Sequence, residues 1–142
     1  MGKKARSLSA SRLLRQFESS GGAGKFCRPF KELSPPAQQY PLSAVELVPD
    51  EIPVIGCFFN EEHWSLLTTE RLIWNEKGRK NILSSSDISS VSVKPGELFE
   101  AQAKDQLTSL SIITKDGRSL ELNLESGPPF FGFWNVLKIM AG

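Results

Sequence analysis

The chain of 142 residues has a single histidine, a single tyrosine and only two cysteines, and it has no long apolar run. Each scarcity excludes something. With His63 alone, a catalytic triad or a histidine-based metal cluster has nothing to build on. Cys27 and Cys57 match no CxxC or zinc spacing, and the reading they invite is two reduced, structural thiols. No stretch approaches the roughly 18 apolar residues of a membrane span, and no apolar run of 7–15 residues marks a secretory signal near the start. The expectation is a cytoplasmic protein, with peripheral attachment to a membrane as the variant.

Charge is balanced in sum and uneven in distribution. Lys3, Lys4, Arg6, Arg12, Arg15, Lys25, Arg28 and Lys31 stand against Glu18 alone within residues 1–31, a net of +7. The remaining 9 basic and 15 acidic residues leave −6. A basic arm on an acidic body suits contact with an anionic surface, or folding back onto its own domain. The arm and a linker are read over 1–41 and a compact domain over 42–142. Ala10, Leu13, Leu14 and Phe17 recur at helical spacing, so a short amphipathic helix is expected over 8–18. Gly21, Gly22 and Gly24, then Pro29, Pro35, Pro36 and Pro41, read as a linker, with Phe26, Phe30 and Tyr40 able to pin it to a surface.

The body alternates as strands do. Val54 to Phe59 reads as a buried strand, His63 to Thr68 and Arg71 to Asn75 as the next two, and Ile82–Leu83 as a fourth. A fifth runs over Ile88 to Val93. Lys77–Gly78 and Asp116–Gly117 are hairpin turns, the second flanked by alternating Leu107–Thr114 and Leu120–Leu124. About seven antiparallel strands result. Phe130 to Met140 then supplies a helix, with Phe130, Phe133, Trp134, Leu137 and Met140 on one face. The fold class is α+β, a curled sheet or barrel capped by a C-terminal helix.

Asp50–Glu51 before the first strand, Thr68-Thr69-Glu70-Arg71-Leu72 at the next corner, Asp87-Ile88-Ser89-Ser90-Val91 and Asp116-Gly117-Arg118 occur in an order that resembles the bacterial pleckstrin-homology-like (PH-like or GRAM-like) domains. The resemblance covers about residues 45–142. It implies a barrel in which Thr68 and Arg71 fix a turn, and it brings phosphoinositide binding to mind. Where such domains bind lipid, the loop between the first two strands carries basic residues that meet phosphate. Here that loop is Asn60-Glu61-Glu62-His63, of the opposite charge, so the head-group site is not carried over.

Other motifs fail on single positions. The GGAGK run at 21–25 has Ser19 and Phe26 where a phosphate loop needs Gly and Ser or Thr. MGKKAR has Arg6 where myristoylation needs Ser or Thr. Its Arg- and Ser-rich, acid-poor character suits a transit peptide as a minor alternative. No catalytic residue, cofactor or metal is predicted.

What remains is a non-enzymatic interaction module. The partner-binding candidates are Phe131 and Ile139 on the last helix, Ile88 and Val91 on the candidate edge strand, and Glu61 and Glu62. The anionic-surface candidates are Lys3, Lys4, Arg6, Arg12, Arg15, Lys77, Arg79 and Lys80. A protein partner for an adaptor or scaffold is the first reading. The alternatives are an immunity protein that plugs a toxin with its acidic residues, and an anionic membrane met by the basic arm. Nucleic acid is disfavoured, and dimerisation through the C-terminal helix is a further expectation.

Overall fold

The computed structural model describes residues 9–93 and 107–141. Among these residues the chain builds α1 (Ala10–Ser20), β1 (Cys27–Pro29), a 3-10 turn (Phe30–Glu32), α2 (Pro35–Ala44), β2 (Pro53–Asn60), β3 (His63–Thr68), β4 (Arg71–Glu76), β5 (Arg79–Ser84), a second 3-10 turn (Ser85–Asp87), β6 (Ile88–Ser92), β7 (Ser109–Thr114), β8 (Ser119–Asn123) and α3 (Pro128–Ala141). The strands form two antiparallel sheets, β1-β2-β3-β4-β5 and β6-β7-β8, and no closed barrel. The α+β class with a C-terminal helix stands.

Local chemistry accounts for the hairpins. Lys77 (φ 53°) and Gly78 (φ 78°) both take the left-handed conformation that a two-residue hairpin turn with right-handed strand twist requires. Between β7 and β8, Gly117 (φ 91°) turns the chain, and the Thr114 hydroxyl donates to Asp116 while accepting the Arg118 amide at 2.9 Å.

The five-stranded sheet is buried on both faces. Its inner face, with Ile55, Leu67 and Leu72, packs with Ile88, Leu110, Ile112 and Leu122 of the second sheet and with Phe130, Phe133, Val136 and Leu137 of α3. Its outer face, with Trp64, Leu66 and Ile73, lies under Phe30, Leu33 and Ala37. Strands buried on both sides read as continuous apolar runs, which is why WSLLT and RLIW lack clean alternation.

The segment read as a linker is therefore structural. Ser34 stands at the N-cap of α2 with Pro35 and Pro36 in the first turn, where a missing N–H costs nothing and a fixed φ suits the helix. The Gln38 amide donates to the Phe30 and Leu33 carbonyls at 3.1 Å each, tying the 3-10 turn to α2. Cys27 and Cys57 are cross-strand partners of β1 and β2 and form a disulfide, which corrects the reading of two free thiols. The pairing was hidden because Cys27 lies in a three-residue strand that exists only by adding to β2. It also removes the argument for a reducing compartment that free thiols had supplied.

The N-terminal segment is held at both ends. The Glu125 carboxylate accepts the backbone amides of Lys25, Phe26 and Cys27 at 2.7, 2.7 and 2.8 Å, as a cradle of successive N–H groups holds an anion. Helix α1, opened by the Ser9 hydroxyl accepting the Arg12 amide at 3.1 Å, buries Leu13 and Phe17 against α3. Of the two options for the basic arm, folding back describes its helical part. Lys3, Lys4 and Arg6 lie outside the described residues.

The α1–α3 contact depends on Gly132. A Cβ there would lie 2.8 Å from the Phe17 carbonyl oxygen and 2.8 Å from its ring. Alanine gains about 1 kcal/mol in helix propensity over glycine, whereas overpacking costs about 1–3 kcal/mol. The obstacle includes backbone, so the cost wins. Gly132→Ala is expected to lower the unfolding free energy by up to about 2 kcal/mol in denaturant titration; a stability raised by the full propensity gain of about 1 kcal/mol would show that α1 is not seated this closely.

Candidate functional site

Site geometry starts at the corner between β3 and β4. Glu51, 6% exposed, precedes β2 and points into that corner. Arg71 grips it with both arms of its guanidinium, Nε to Oε2 at 2.9 Å and Nη2 to Oε1 at 2.8 Å. The Val48 amide donates to Oε1 at 3.0 Å and the Thr68 hydroxyl donates to Oε2. Thr68 in turn accepts the Glu70 and Arg71 amides at 3.1 and 2.9 Å, closing the turn. Thr68 and Arg71 thus hold the corner, with Glu51 as the buried group they serve. Burial pushes the Glu51 carboxyl upward, but the hydrogen bonds from Arg71, Thr68 and Val48, with the Arg71 charge, outweigh it and hold it below the usual range.

The corner positions a strap. Arg71 Nη2 also donates to the Glu46 carbonyl at 3.0 Å, and Lys80 Nζ, on the outer face of β5, donates to the Ala44 carbonyl at 2.6 Å. The second contact places a cation on the C-terminal carbonyl end of α2, where the helix dipole favours it. Together they fasten the segment whose Ala44 and Val45 pack against the outer-face cluster that contains Ile73, whereas Ile82, the cross-strand partner of Ile73, lies outside that cluster. Ile82 is left 48% exposed in the middle of β5.

β5 is also the unpaired end of the five-stranded sheet. Below it, on the inner side, a cleft of about 360 Å³ is lined by Trp74, Arg79, Asn81 and Lys77 from the β4–β5 hairpin and by Leu120 and Glu121 from β8. The Asn123 amide donates to Glu76 at 2.6 Å at this cleft, linking the two sheets. The cleft lies at the small end of ligand pockets, which run to about 300–1,000 Å³. β5 thus combines an open backbone edge, an exposed apolar side chain and a recess.

The other candidate edge is covered. The Trp134 indole N–H donates to the Val91 carbonyl at 3.1 Å, and α3 packs along β6. Ile88 and Val91 are buried, which corrects their assignment to an exposed edge. Phe131 and Ile139 are half-buried and pack on the main core, so neither stands out as an anchor. Glu61 and Glu62 are exposed at the β2–β3 turn, where the Glu62 amide donates to Asn60 Oδ1 at 2.8 Å. The hydrogen bond to Glu61, then burial and the carboxylate charge, raises the Tyr40 phenol above its usual range. Arg12 and Arg15 are exposed on α1, on the face away from Leu13 and Phe17, far in sequence from the exposed Lys77, Arg79 and Lys80 of the β4–β5 hairpin.

His63 stacks on Phe59 at 4.5 Å between ring centres. Its Nε2 and the Ser65 hydroxyl oxygen are buried without a hydrogen-bond partner among the described residues. No group of three or more His, Cys, Asp or Glu among those residues is placed to hold a metal ion, and no helix among them is long and apolar enough to cross a membrane. No family model matches the chain, and no curated protein or solved structure matches it either.

Sequence reasoning missed Ile82 as a contact residue. The available signal was an isoleucine in RKNILS whose same-face neighbours two positions away, Lys80 and Ser84, are both polar.

Two outcomes test the corner. Arg71→Ala leaves a buried carboxylate unpaired and is expected to cost about 3–5 kcal/mol of unfolding free energy; a loss under 1 kcal/mol would show that Glu51 finds water instead. Since the folded Glu51 carboxyl is held below 4.5, the unfolded chain takes up the proton first as the pH drops. Its stabilisation is complete above that value and is lost as the pH falls through the folded value. The stability gap between wild type and Glu51→Gln, followed by denaturant titration from pH 7 downward, is therefore expected to close in acid. A gap constant with pH would mean that the fold does not shift the Glu51 carboxyl from its unfolded value.

Proposed function

We propose that the protein is a non-catalytic, PH-like interaction module of the adaptor type, which receives a protein partner on the β5 edge. The observation that carries this is the open edge itself, with Ile82 exposed at its centre above a recess. Exposed edges carry unpaired N–H and C=O groups that template a further strand, and strand addition is an established mode of peptide recognition. The PH-like reading draws support from the element order, a four-strand meander β2–β5, then three strands β6–β8, then a terminal helix, with β1 and the first two helices added in front.

Peripheral binding to an anionic membrane is the second reading. It is favoured by Arg12 and Arg15, exposed together on the outer face of α1, each worth about 1 kcal/mol near such a surface. The immunity reading rests on the acidic turn, where Glu61 is engaged with Tyr40 and Glu62 is exposed.

Capture from native lysate with the tagged full chain separates these readings. A stoichiometric protein lost with Ile82→Lys but kept with Glu62→Lys and with Arg12→Glu/Arg15→Glu is the expected outcome. Loss with Glu62→Lys alone would favour the inhibitor reading, and recovery of lipid dependent on the arginines alone would favour the membrane. A partner set unaffected by Ile82→Lys would overturn the edge as the binding element.

A further inference from the structure

We propose that β5 pairs antiparallel with β5 of a second copy of this chain, about a two-fold axis through Ile82. The inference rests on the reading of β5 as a binding edge and names the occupant.

The backbone decides which groups are available. Lys77–Gly78 is a two-residue turn, so Glu76 and Arg79 close the ladder and the bonds to β4 fall at every second residue from Arg79. The Ser85 amide, which donates to the Glu70 carbonyl at 3.0 Å, keeps that parity. The N–H and C=O groups of Lys80, Ile82 and Ser84 therefore face away from the sheet.

A two-fold pairing must set residues opposite one another in a self-complementary way. With Ile82 opposite Ile82, Lys80 falls opposite Ser84 and Ser84 opposite Lys80, so every outward group of the three residues finds a partner. A shift by one residue in either direction moves the axis to Asn81 or Leu83. It then sets the end of the strand against the turn at Gly78 or the 3-10 turn at Ser86, which cannot complete the ladder. The full register also juxtaposes no like charges. Arg79 comes opposite Ser85, and the Lys77 hairpin of each copy runs toward the exposed Asp87 of the other. Side chains opposite one another in such a pair share a face, so the two half-exposed isoleucines cover each other.

Lysine on an edge usually guards against this kind of pairing. Here the Lys80 ammonium is turned back onto the Ala44 carbonyl, away from the edge, and the middle of the strand carries isoleucine. A contact made by one short strand from each copy falls below the roughly 1,200 Å² of a stable interface, so the association is a concentration-dependent equilibrium and not an obligate dimer.

The test uses the full chain. Sedimentation equilibrium over a hundredfold range of protein concentration is expected to show wild type shifting from monomer toward dimer mass. Ile82→Lys, with an unchanged near-ultraviolet spectrum, is expected to weaken dimerisation at least tenfold. Directly opposed antiparallel residues lie about 4.5–5.5 Å apart between Cα atoms, inside the disulfide range of about 4.4–6.8 Å. Ile82→Cys is therefore expected to form a covalent dimer on mild oxidation. Ser84→Cys, whose copies would lie four residues out of register, about 13 Å along the strand, is expected to remain monomeric. Equal cross-linking of the two variants, a dimer that survives Ile82→Lys, or a wild type that stays monomeric throughout would each overturn the self-pairing. The broader reading fails separately, if lysate capture is indifferent to Ile82→Lys.

Discussion

The strap that runs from α2 to β2 along the outer face of the larger sheet depends on one buried carboxylate being satisfied. Glu51 is out of reach of water, and an ionised carboxylate in that position is tolerable only with several donors around it. It receives a bidentate guanidinium, a hydroxyl and a backbone amide. Because Arg71 spends the second N–H of Nη2 on the Glu46 carbonyl, satisfying Glu51 also fixes the chain between α2 and β2. That chain segment decides where the cover over Trp64, Leu66 and Ile73 ends, and its end decides that Ile82 is exposed. The site is a by-product of the corner, reached through two hydrogen bonds.

A second anionic anchor acts on the opposite side. Glu125 gathers three consecutive amides of the segment entering β1, and the Cys27–Cys57 bond fixes the same segment to β2. The short β1 could not survive alone, since three residues of ladder cannot repay the entropy of ordering a chain end. Anchored by a carboxylate and a covalent link, it carries α1 to α3 at one side and the 3-10 turn with α2 to the outer sheet face at the other. The residues before β2 thus supply one helix to each hydrophobic core, and the sheet loses the wet face that an antiparallel sheet ordinarily keeps.

The contrast between what is legible in the sequence and what is not follows the range of the interaction. Lys77–Gly78 and Asp116–Gly117 announce their hairpins because a left-handed turn is a local demand. The spacing of Leu13 and Phe17 announces α1, and the aromatic run announces α3, because period and burial go together. The helix Pro35–Ala44 is obscured by its prolines, which read as breaks although two of them sit where a helix begins. The disulfide is obscured because Cys27 meets Cys57 only through the register of β1 on β2. Glu51 and Arg71 each stand in a recognisable motif, yet their pairing spans 20 residues and no periodicity links them. The candidate edge goes wrong for the same reason. Ile88–Val93 ends a sheet by order, but Trp134, 43 residues on, reaches its Val91 carbonyl.

An edge strand that is merely tolerated differs from one that is used, and β5 has the marks of the second. Natural sheets blunt their edges by brevity, inward charge, bulges or a covering element. β1 is only three residues long and β6 is covered by α3, so both follow that practice. β5 has six residues in unbroken register with β4, and the cation best placed to guard it is engaged on α2. Moving that ammonium off the edge stabilises the helix end and at the same time uncovers the backbone. The exposure of Ile82 therefore comes from contacts that hold the fold together, and substitutions that open the edge further would weaken α2. A strand that docks there meets an edge already set in register by the full β4 ladder, so little of the sheet has to be ordered on binding.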